Sequence, residues 1–357
     1  MKKILVASSL PYSQSNRGID IITEALIDMN MNVTHLTFPS KEAFLKDNKN
    51  FTQLGIKGRK IAYYERIMKN FPKNITQYFI NQTIKPLKNF NFSDYDYIIL
   101  ESGKPIFLID LIPDKVPIIY RQSDSVKYIL SRNKLFQSYE EKIIDKAYKI
   151  IVVREIFKNL LNDKYKEKTF VIPNGFNIPD DYEDYNPFRT NNNIIYLGYT
   201  TIDFKTVYYI CKNNPEIHIH IIGRPLVKKQ INKLKRKFSN FHYYGTMNAI
   251  QYNKYLKYSD LAIVPYKKDK KLEFIGLNSK YLNFMYFKLP IVSYKVGQLD
   301  EFNGSKVFFV ETKREFSIKI KENIGKKIDY SESIDFKSLS KKELIKKYQS
   351  LFLEIFC

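Results

Sequence analysis

Tryptophan is absent from the 357 residues, cysteine occurs twice and histidine four times. The two cysteines, Cys211 and Cys357, belong to no CxxC, so neither a zinc ribbon nor a disulfide framework is expected, and a reducing compartment fits. The histidines lack ligand spacing. His218 and His220 alternate with isoleucines and read as strand residues rather than a metal pair. No HExxH is present. No GxGxxG follows the first apolar run, which leaves a dinucleotide oxidoreductase poorly supported, and the absence of GxxxxGK[ST] excludes P-loop chemistry. No stretch approaches the ~18 apolar residues of a membrane span. The apolar run in MKKILVASSLPY falls short of the about 7–15 residues of a signal-peptide core and reads as a first strand.

Negative charge is also in short supply. Asp and Glu total 37 against 59 Lys and Arg, a formal charge of +22. That balance suits nucleic acid, acidic lipid or a phosphorylated substrate. A general bias toward Lys, Asn, Ile and Tyr accounts for it equally well. Hydrophobic residues make up 44% of the chain, enough for two domains each with its own core.

What is present is an alternation of strand and helix patterns. Lys3–Ser8 reads as a strand, 19–29 as a helix and 33–38 as a strand, a βαβ opening. Residues 54–90 read as helical or irregular and basic. Strands follow at 97–100, 116–120, 149–153 and 169–172, with helices at 133–148 and 155–162. Pro173-Asn174-Gly175 is a turn, and the acidic, proline-bearing NIPDDYEDYNPFRTNNN after it reads as a linker. A second strand–helix series runs from Ile194, and a Lys-rich amphipathic helix closes the chain. The pattern gives residues 1–174 as an N-terminal domain, 175–192 as linker, 193–335 as a C-terminal domain and 336–357 as a terminal helix. Both domains are expected to be Rossmann-like α/β layers with a cleft between them. Ligands of such sheets sit beyond the carboxyl ends of the strands. That singles out the loop from Ser8 to Gly18, with Arg17, and Glu101, Ser123, Asp124, Gly198, Arg224, Gly245 to Met247, Tyr266 and Lys280. Asp94-Tyr95-Asp96, a DxD of the kind that holds a metal and diphosphate, precedes its strand and so falls at the wrong edge.

Several blocks of the second half occur in a characteristic order: YLGYTTIDFKTV, IHIIGR, YYGTM, NKYLKYSDLAIVPY and NSKYLNFMYFKLPIVSY. Together they resemble the donor domain of two-domain nucleotide-sugar glycosyltransferases of the GT-B fold, and AYKIIVVREIFKNLL and VIPNGFN in the first half are similar to other blocks of that superfamily. The resemblance spans nearly the whole chain. It implies two Rossmann-like domains facing each other across a cleft, with the terminal helix packing back on the N-terminal domain. Retaining members carry two glutamates eight positions apart near Lys280. Here those places hold Ile275 and Asn283, and Glu273 is two positions off. That departure points to the GumK-like β-glucuronosyltransferases of xanthan assembly, which have Lys-x-x-Gln where this chain has Lys280 and Asn283.

The resemblance implies a UDP-sugar donor, glucuronate being one choice. The diphosphate would be held by Lys280 with Ser279, the free N–H groups of the helix they begin, and Arg224. Asn283 would bond ribose or phosphate, and Gly198, Gly245, Thr246, Met247 and Tyr266 would line the nucleotide pocket. Asp124 would be the general base of an inverting transfer that needs no metal and no cofactor, with Glu101 as the rival base and Arg17, Gly18 and Ser123 facing the acceptor or the cleft. Local alternatives are a helix cap for Asp124 and an ordinary helix start for Arg17 and Gly18. The acceptor would be a lipid-linked glycan. The basic, aromatic stretch with Lys57, Arg59, Lys60, Tyr63, Tyr64, Arg66, Ile67, Met68, Lys69, Phe71 and Lys73 would attach a cytoplasmic protein to the anionic inner face of the membrane. Two alternatives stand beside this: a retaining transferase of the same fold with another UDP- or GDP-sugar, and a nucleic-acid-binding protein, for which no base-reading motif is found.

Overall fold

In the computed structural model, the described residues are 1–13, 17–58, 71–130, 133–297, 299, 302–304 and 306–356. The chain divides into two compact units, Met1–Gly175 with Lys341–Cys357, and Phe176–Ser340.

In the first unit, residues 4–8 of β1 (Lys3–Ser8) are all buried. An uninterrupted apolar run is what a strand needs when helices cover both faces of a parallel sheet. β1 pairs in parallel with β2 (Asn32–Ser40) on one side and β5 (Tyr97–Glu101) on the other. The remaining strands are β3 (Phe44–Asn48), β4 (Phe51–Lys57), β6 (Ile118–Gln122), β7 (Lys149–Val152) and β8 (Thr169–Val171), in the order β3-β4-β2-β1-β5-β6-β7-β8. Only β3 is antiparallel, as a hairpin on β4. The chain therefore winds outward from β1 in both directions and reverses between β1 and β5. The helices are α1 (Gly18–Asp28), α2 (Lys73–Ile84), α3 (Lys134–Lys146), α4 (Glu155–Asn159) and α5 (Asp163–Lys166).

Phe51–Lys57 corrects the expectation of helix or irregular chain from residue 54. In that strand only Gln53 and Gly55 are fully buried, so beyond the partly buried Phe51 the inward face carries no apolar signal. From the basic stretch that follows, Arg59, Lys60, Tyr63, Tyr64, Arg66, Ile67, Met68 and Lys69 lie outside the described residues.

In the second unit the strands are β9 (Asn193–Gly198), β10 (His218–Gly223), β11 (Phe241–Gly245), β12 (Leu261–Val264), β13 (Ile291–Tyr294) and β14 (Val307–Val310). All pair in parallel, in the order β11-β10-β9-β12-β13-β14. This is the 3-2-1-4-5-6 order of the doubly wound nucleotide-binding sheet, whose crevice opens where the order reverses, between β9 and β12. The helices are α6 (Phe204–Asn213), α7 (Lys228–Lys237), α8 (Ala249–Lys257), α9 (Ser279–Tyr286) and α10 (Lys313–Asn323). Residues 176–192, expected as linker, belong to this unit. Phe188 packs on His220 and Tyr255, and Glu183 pairs with Lys254. Polar composition hid a segment anchored by Phe176, Tyr182 and Phe188 and by ion pairs.

The terminal helix α11 (Lys341–Phe356) returns to the first unit as expected. Leu344, Tyr348, Leu351, Phe352, Ile355 and Phe356 share its buried stripe and join Ile19, Ile22, Leu26 and Ile99 in one core cluster. At roughly 1.5–3 kcal/mol per fully buried large apolar side chain, that stripe is a major part of the unit's stability.

Candidate active site

In the second unit β9, β10 and β11 each end in a glycine with positive φ: Gly198 at +135°, Gly223 at +108° and Gly245 at +74°. Two of these are forced by close approach as well as by conformation. A Cβ on Gly223 would stand 2.1 Å from the carbonyl oxygen of Gly198, and one on Gly198 would stand 2.8 Å from Cε of Lys280. The strand ends are thus stripped of side chain so that backbone and a lysine can lie over them.

Lys280 reaches that place from the first turn of α9. Its Nζ donates to Tyr196 Oη at 2.9 Å and to Tyr266 Oη at 3.0 Å. Tyr196 is two residues before the end of β9 and Tyr266 two residues past β12, so the ammonium sits at the point where the sheet order reverses. It also lies 4.3 and 4.7 Å from the two ring centroids. Tyr196 in turn donates to the carbonyl of Thr200 at 2.8 Å, which leaves its oxygen lone pairs for the lysine. Burial pushes the Tyr196 phenol up to about 12. Burial opposes the lysine charge too, but the two phenols outweigh it and hold Lys280 above its ordinary value. It is a cation at neutral pH, with two of its three donors given to phenols.

The rest of the expected nucleotide set divides. Tyr266 is buried and acts through Lys280. Thr246 and Arg224 are exposed just past β11 and β10, and Met247 packs on the core as a half-buried side chain. Ser279 is half-buried at the start of α9. Two expectations are corrected. The start of α9 does not offer the N–H groups of Lys280 and Tyr281, because the N-cap Asn278 accepts from them at 3.1 and 3.4 Å. Asn283 does not share the exposed side of Lys280. It is 2% exposed, its Nδ2 faces Tyr252 Oη of α8 at 3.5 Å, and its Oδ1 is buried without a partner. Tyr196 was missed. Its only sequence signal is a hydroxyl-bearing aromatic two places before a strand-ending glycine.

In the first unit the corresponding reversal point lies between β1 and β5. There Ser8 Oγ donates to Glu101 Oε2 at 2.7 Å, and Arg121 Nη1 donates to Glu101 Oε1 at 2.9 Å. Arg121, 1% exposed, also reaches Asn174 Oδ1 at 2.7 Å. Gly18 makes room for it: a Cβ there would stand 1.8 Å from Arg121 Nη2. Both oxygens of Glu101 are therefore engaged by donors, which disfavours it as a proton acceptor and corrects its place as rival base. Arg17 is also corrected. Its guanidinium folds back on its own helix, pairing with the buried Asp20 at 2.7 Å and donating to Ser13 Oγ at 3.0 Å.

Asp124 follows β6 with its side chain 47% exposed, 3.5 Å from Arg154 Nη2. Its N–H is held by Ser102 Oγ at 3.1 Å, and Ser102 Oγ bonds Ser123 Oγ at 2.9 Å. The following N–H groups of Val126 and Lys127 go to Glu140, not to Asp124. Of the acidic side chains expected here, Asp124 is the one with an accessible carboxylate.

The histidines are structural. His220 Nε2 meets Asn193 Oδ1 and His220 Nδ1 meets Tyr244 Oη, both at 2.9 Å, and burial lowers its pKa to about 3. Asp96 of the DxD caps the amino edge of the sheet by accepting from the N–H of Lys3. Among the described residues no group of three or more His, Cys, Asp or Glu side chains is disposed to hold a metal, and no helix is long and apolar enough to cross a membrane.

Residues 193–324 match the family described as Glycosyl transferases group 1, a span running from the first residue of β9 to the end of α10. No curated protein matches the chain. Three solved structures illustrate the likeness in fold. An α,α-trehalose-phosphate synthase (UDP-forming) from Burkholderia vietnamiensis aligns at 10% identity over 99% of this chain and 96% of its own, with a TM-score of 0.62. HepE of Anabaena, in complex with UDP-glucose, aligns at 12% identity over 99% and 100%, with a TM-score of 0.59. UGT89C1 of Arabidopsis thaliana, complexed with UDP-L-rhamnose, aligns at 10% identity over 99% and 94%, with a TM-score of 0.55. Residues 193–324 are thus similar to the glycosyl transferases group 1 family, in a chain with the GT-B fold.

Proposed function

We propose that the protein transfers a sugar from a UDP-sugar to a glycan acceptor, with inversion and without a metal. The observation that carries this is the Lys280 ammonium, fixed by Tyr196 and Tyr266 where the second sheet reverses. A cation held there by neutral phenols, over a strand end cleared to glycine, suits a diphosphate that gains charge as it leaves. The UDP-sugars in the HepE and UGT89C1 complexes support the same donor class.

Asp124 is the general base. It accepts the proton of an acceptor hydroxyl, and the freed oxygen attacks the anomeric carbon from the face opposite the departing UDP. The C–O bond to UDP breaks as the new glycosidic bond forms, and its electron pair leaves with the diphosphate, stabilised by Lys280. Ile275 and Asn283 at the places of the retaining glutamates favour inversion. A glucuronate donor, a lipid-linked acceptor and attachment to an anionic membrane face complete the reading. The last is supported by the net charge of +22 and by α7, whose Lys228, Lys229, Lys233, Lys235, Arg236 and Lys237 meet no acid within the helix.

The test is a transfer assay in EDTA with UDP-glucuronate, UDP-glucose and GDP-mannose, using lipid-extracted glycan acceptors and reading the product anomer by NMR. Transfer from one UDP-sugar with inverted configuration supports the proposal. Retained configuration, or dependence on added metal, contradicts it.

A further inference from the structure

Beyond the carboxyl ends of β6 and β7, the first unit holds a cavity of about 270 Å³. Ile144, Phe157 and Leu160 give it apolar walls, and Tyr128 and Tyr165 line it with them. Its buried polar side chains are Ser125, Glu140 and Gln122, the last residue of β6, 3% exposed. Gln122 Nε2 donates to Glu140 Oε1 at 3.0 Å, whereas Gln122 Oε1 is buried with no partner. Turning the amide over gives no relief, because its oxygen would then face a carboxylate, acceptor against acceptor. Glu140 is fixed in its own right by Tyr120 Oη at 2.8 Å, Ser125 Oγ at 3.2 Å, and the N–H groups of Val126 and Lys127 at 2.9 and 3.1 Å. Those two N–H bonds draw the chain after Asp124 into a single π-helical turn, Val126–Leu130. Such turns are rare and gather at functional sites.

A buried acceptor that the protein cannot satisfy calls for a donor from outside. The occupant must bring one hydroxyl or N–H to Gln122, lay an apolar face on aromatic and aliphatic side chains, and be small. The cavity lies just below the roughly 300 Å³ at which pockets for drug-sized ligands begin. One lysine and two glutamates, Lys127, Glu140 and Glu141, line it together, a net negative wall that disfavours an anionic occupant. We propose that this cavity takes one neutral pyranose ring. A ring hydroxyl donates to Gln122 Oε1, and the C–H face of the ring lies on Tyr128, Tyr165 and Leu160. The inference rests on the transferase reading, in which the ring is a residue of the acceptor glycan, two positions along the chain from Asp124.

The experiment is saturation-transfer NMR on the full chain with methyl β-D-glucopyranoside, methyl β-D-galactopyranoside and methyl N-acetyl-β-D-glucosaminide, with cyclohexylmethanol as the control. Thermal stabilisation by UDP is measured on the same samples. The variants are Gln122→Met, which removes the acceptor, and Leu160→Trp, which fills the cavity from an exposed position away from Glu140. At least one glycoside binds the parent, more weakly by about tenfold in Gln122→Met, the worth of one buried hydrogen bond, and not at all in Leu160→Trp. No glycoside response, a response unchanged in both variants, or cyclohexylmethanol binding as well as the glycosides would overturn the assignment. UDP stabilisation without glycoside binding removes the cavity proposal alone. Failure of both removes the transferase reading with it.

Discussion

The ammonium of Lys280 in α9 donates to the phenol of Tyr196 in β9 across 84 residues of sequence, at 2.9 Å. Tyr266 completes the hold at 3.0 Å. Because both partners are neutral, the lysine keeps its full charge for an anion, while its position is set by the two strands that border the crevice of the second sheet.

Tyr196→Phe and Tyr266→Phe should each leave the fold intact, costing about 1 kcal/mol for one lost hydrogen bond. Each should weaken UDP binding several-fold, and the double variant more than the product of the two. With both phenols gone, burial is no longer opposed and the Lys280 pKa falls. The pH profile of UDP binding then acquires a descending limb at lower pH, which a merely structural role would not produce. Calorimetric titration against pH reads both effects.

Asp124→Asn should lower the transfer rate by about 10²–10⁴-fold, the usual worth of a general base, and leave UDP binding unchanged. Glu101→Gln should behave differently. It removes the charge paired with the buried Arg121, and losing one partner of a buried pair costs about 3–5 kcal/mol. Rate measurements beside thermal melts separate the two, and a larger rate loss for a stably folded Glu101→Gln would reverse the assignment.

Gly18→Ala places a methyl group 1.8 Å from the present position of Arg121 Nη2. The guanidinium has to move off Glu101 and Asn174, and we expect a loss of about 1–3 kcal/mol, as for overpacking. The damage belongs to the first unit, so UDP affinity in the second is retained. Melting curves with and without UDP check this.

His220 has its pKa lowered to about 3 by burial, against about 6.5 in the unfolded chain. The unfolded state binds the extra proton, so this contribution to stability is complete above pH 6.5 and is lost as pH falls toward 3. The slope is about 1.4 kcal/mol per pH unit within that window. His220→Gln should remove one proton from the pH dependence of unfolding of the second unit, as followed by denaturant titration between pH 7 and 4.

Much of the architecture was legible because parallel strands buried on both faces write themselves as apolar runs. β1 stands at the residues the sequence indicates. β4 did not read that way, since its fully buried positions are Gln53 and Gly55, nor did β14 and α10 near the end of the second unit. The positions of Lys280, Gly198 and Asp124 toward the strand ends were legible, while their roles belong to the proposal. Tyr196, Arg121 and Gln122 were not. Each is a polar-tipped residue inside a strand, and whether its tip meets a lysine, a glutamate or nothing is decided by strand order, which no local pattern records. The same holds for Asn278, whose capping of α9 withdraws N–H groups that the sequence offered to a phosphate.

The most direct test of the central claim is calorimetric titration of UDP, in EDTA, into the parent protein and Lys280→Met, which keeps the length of the side chain without its charge. The account predicts metal-independent binding that weakens by about 10–100-fold in the variant, the worth of one charged hydrogen bond, with an unchanged fold. Equal affinity in the two proteins, or no binding by either, would contradict it.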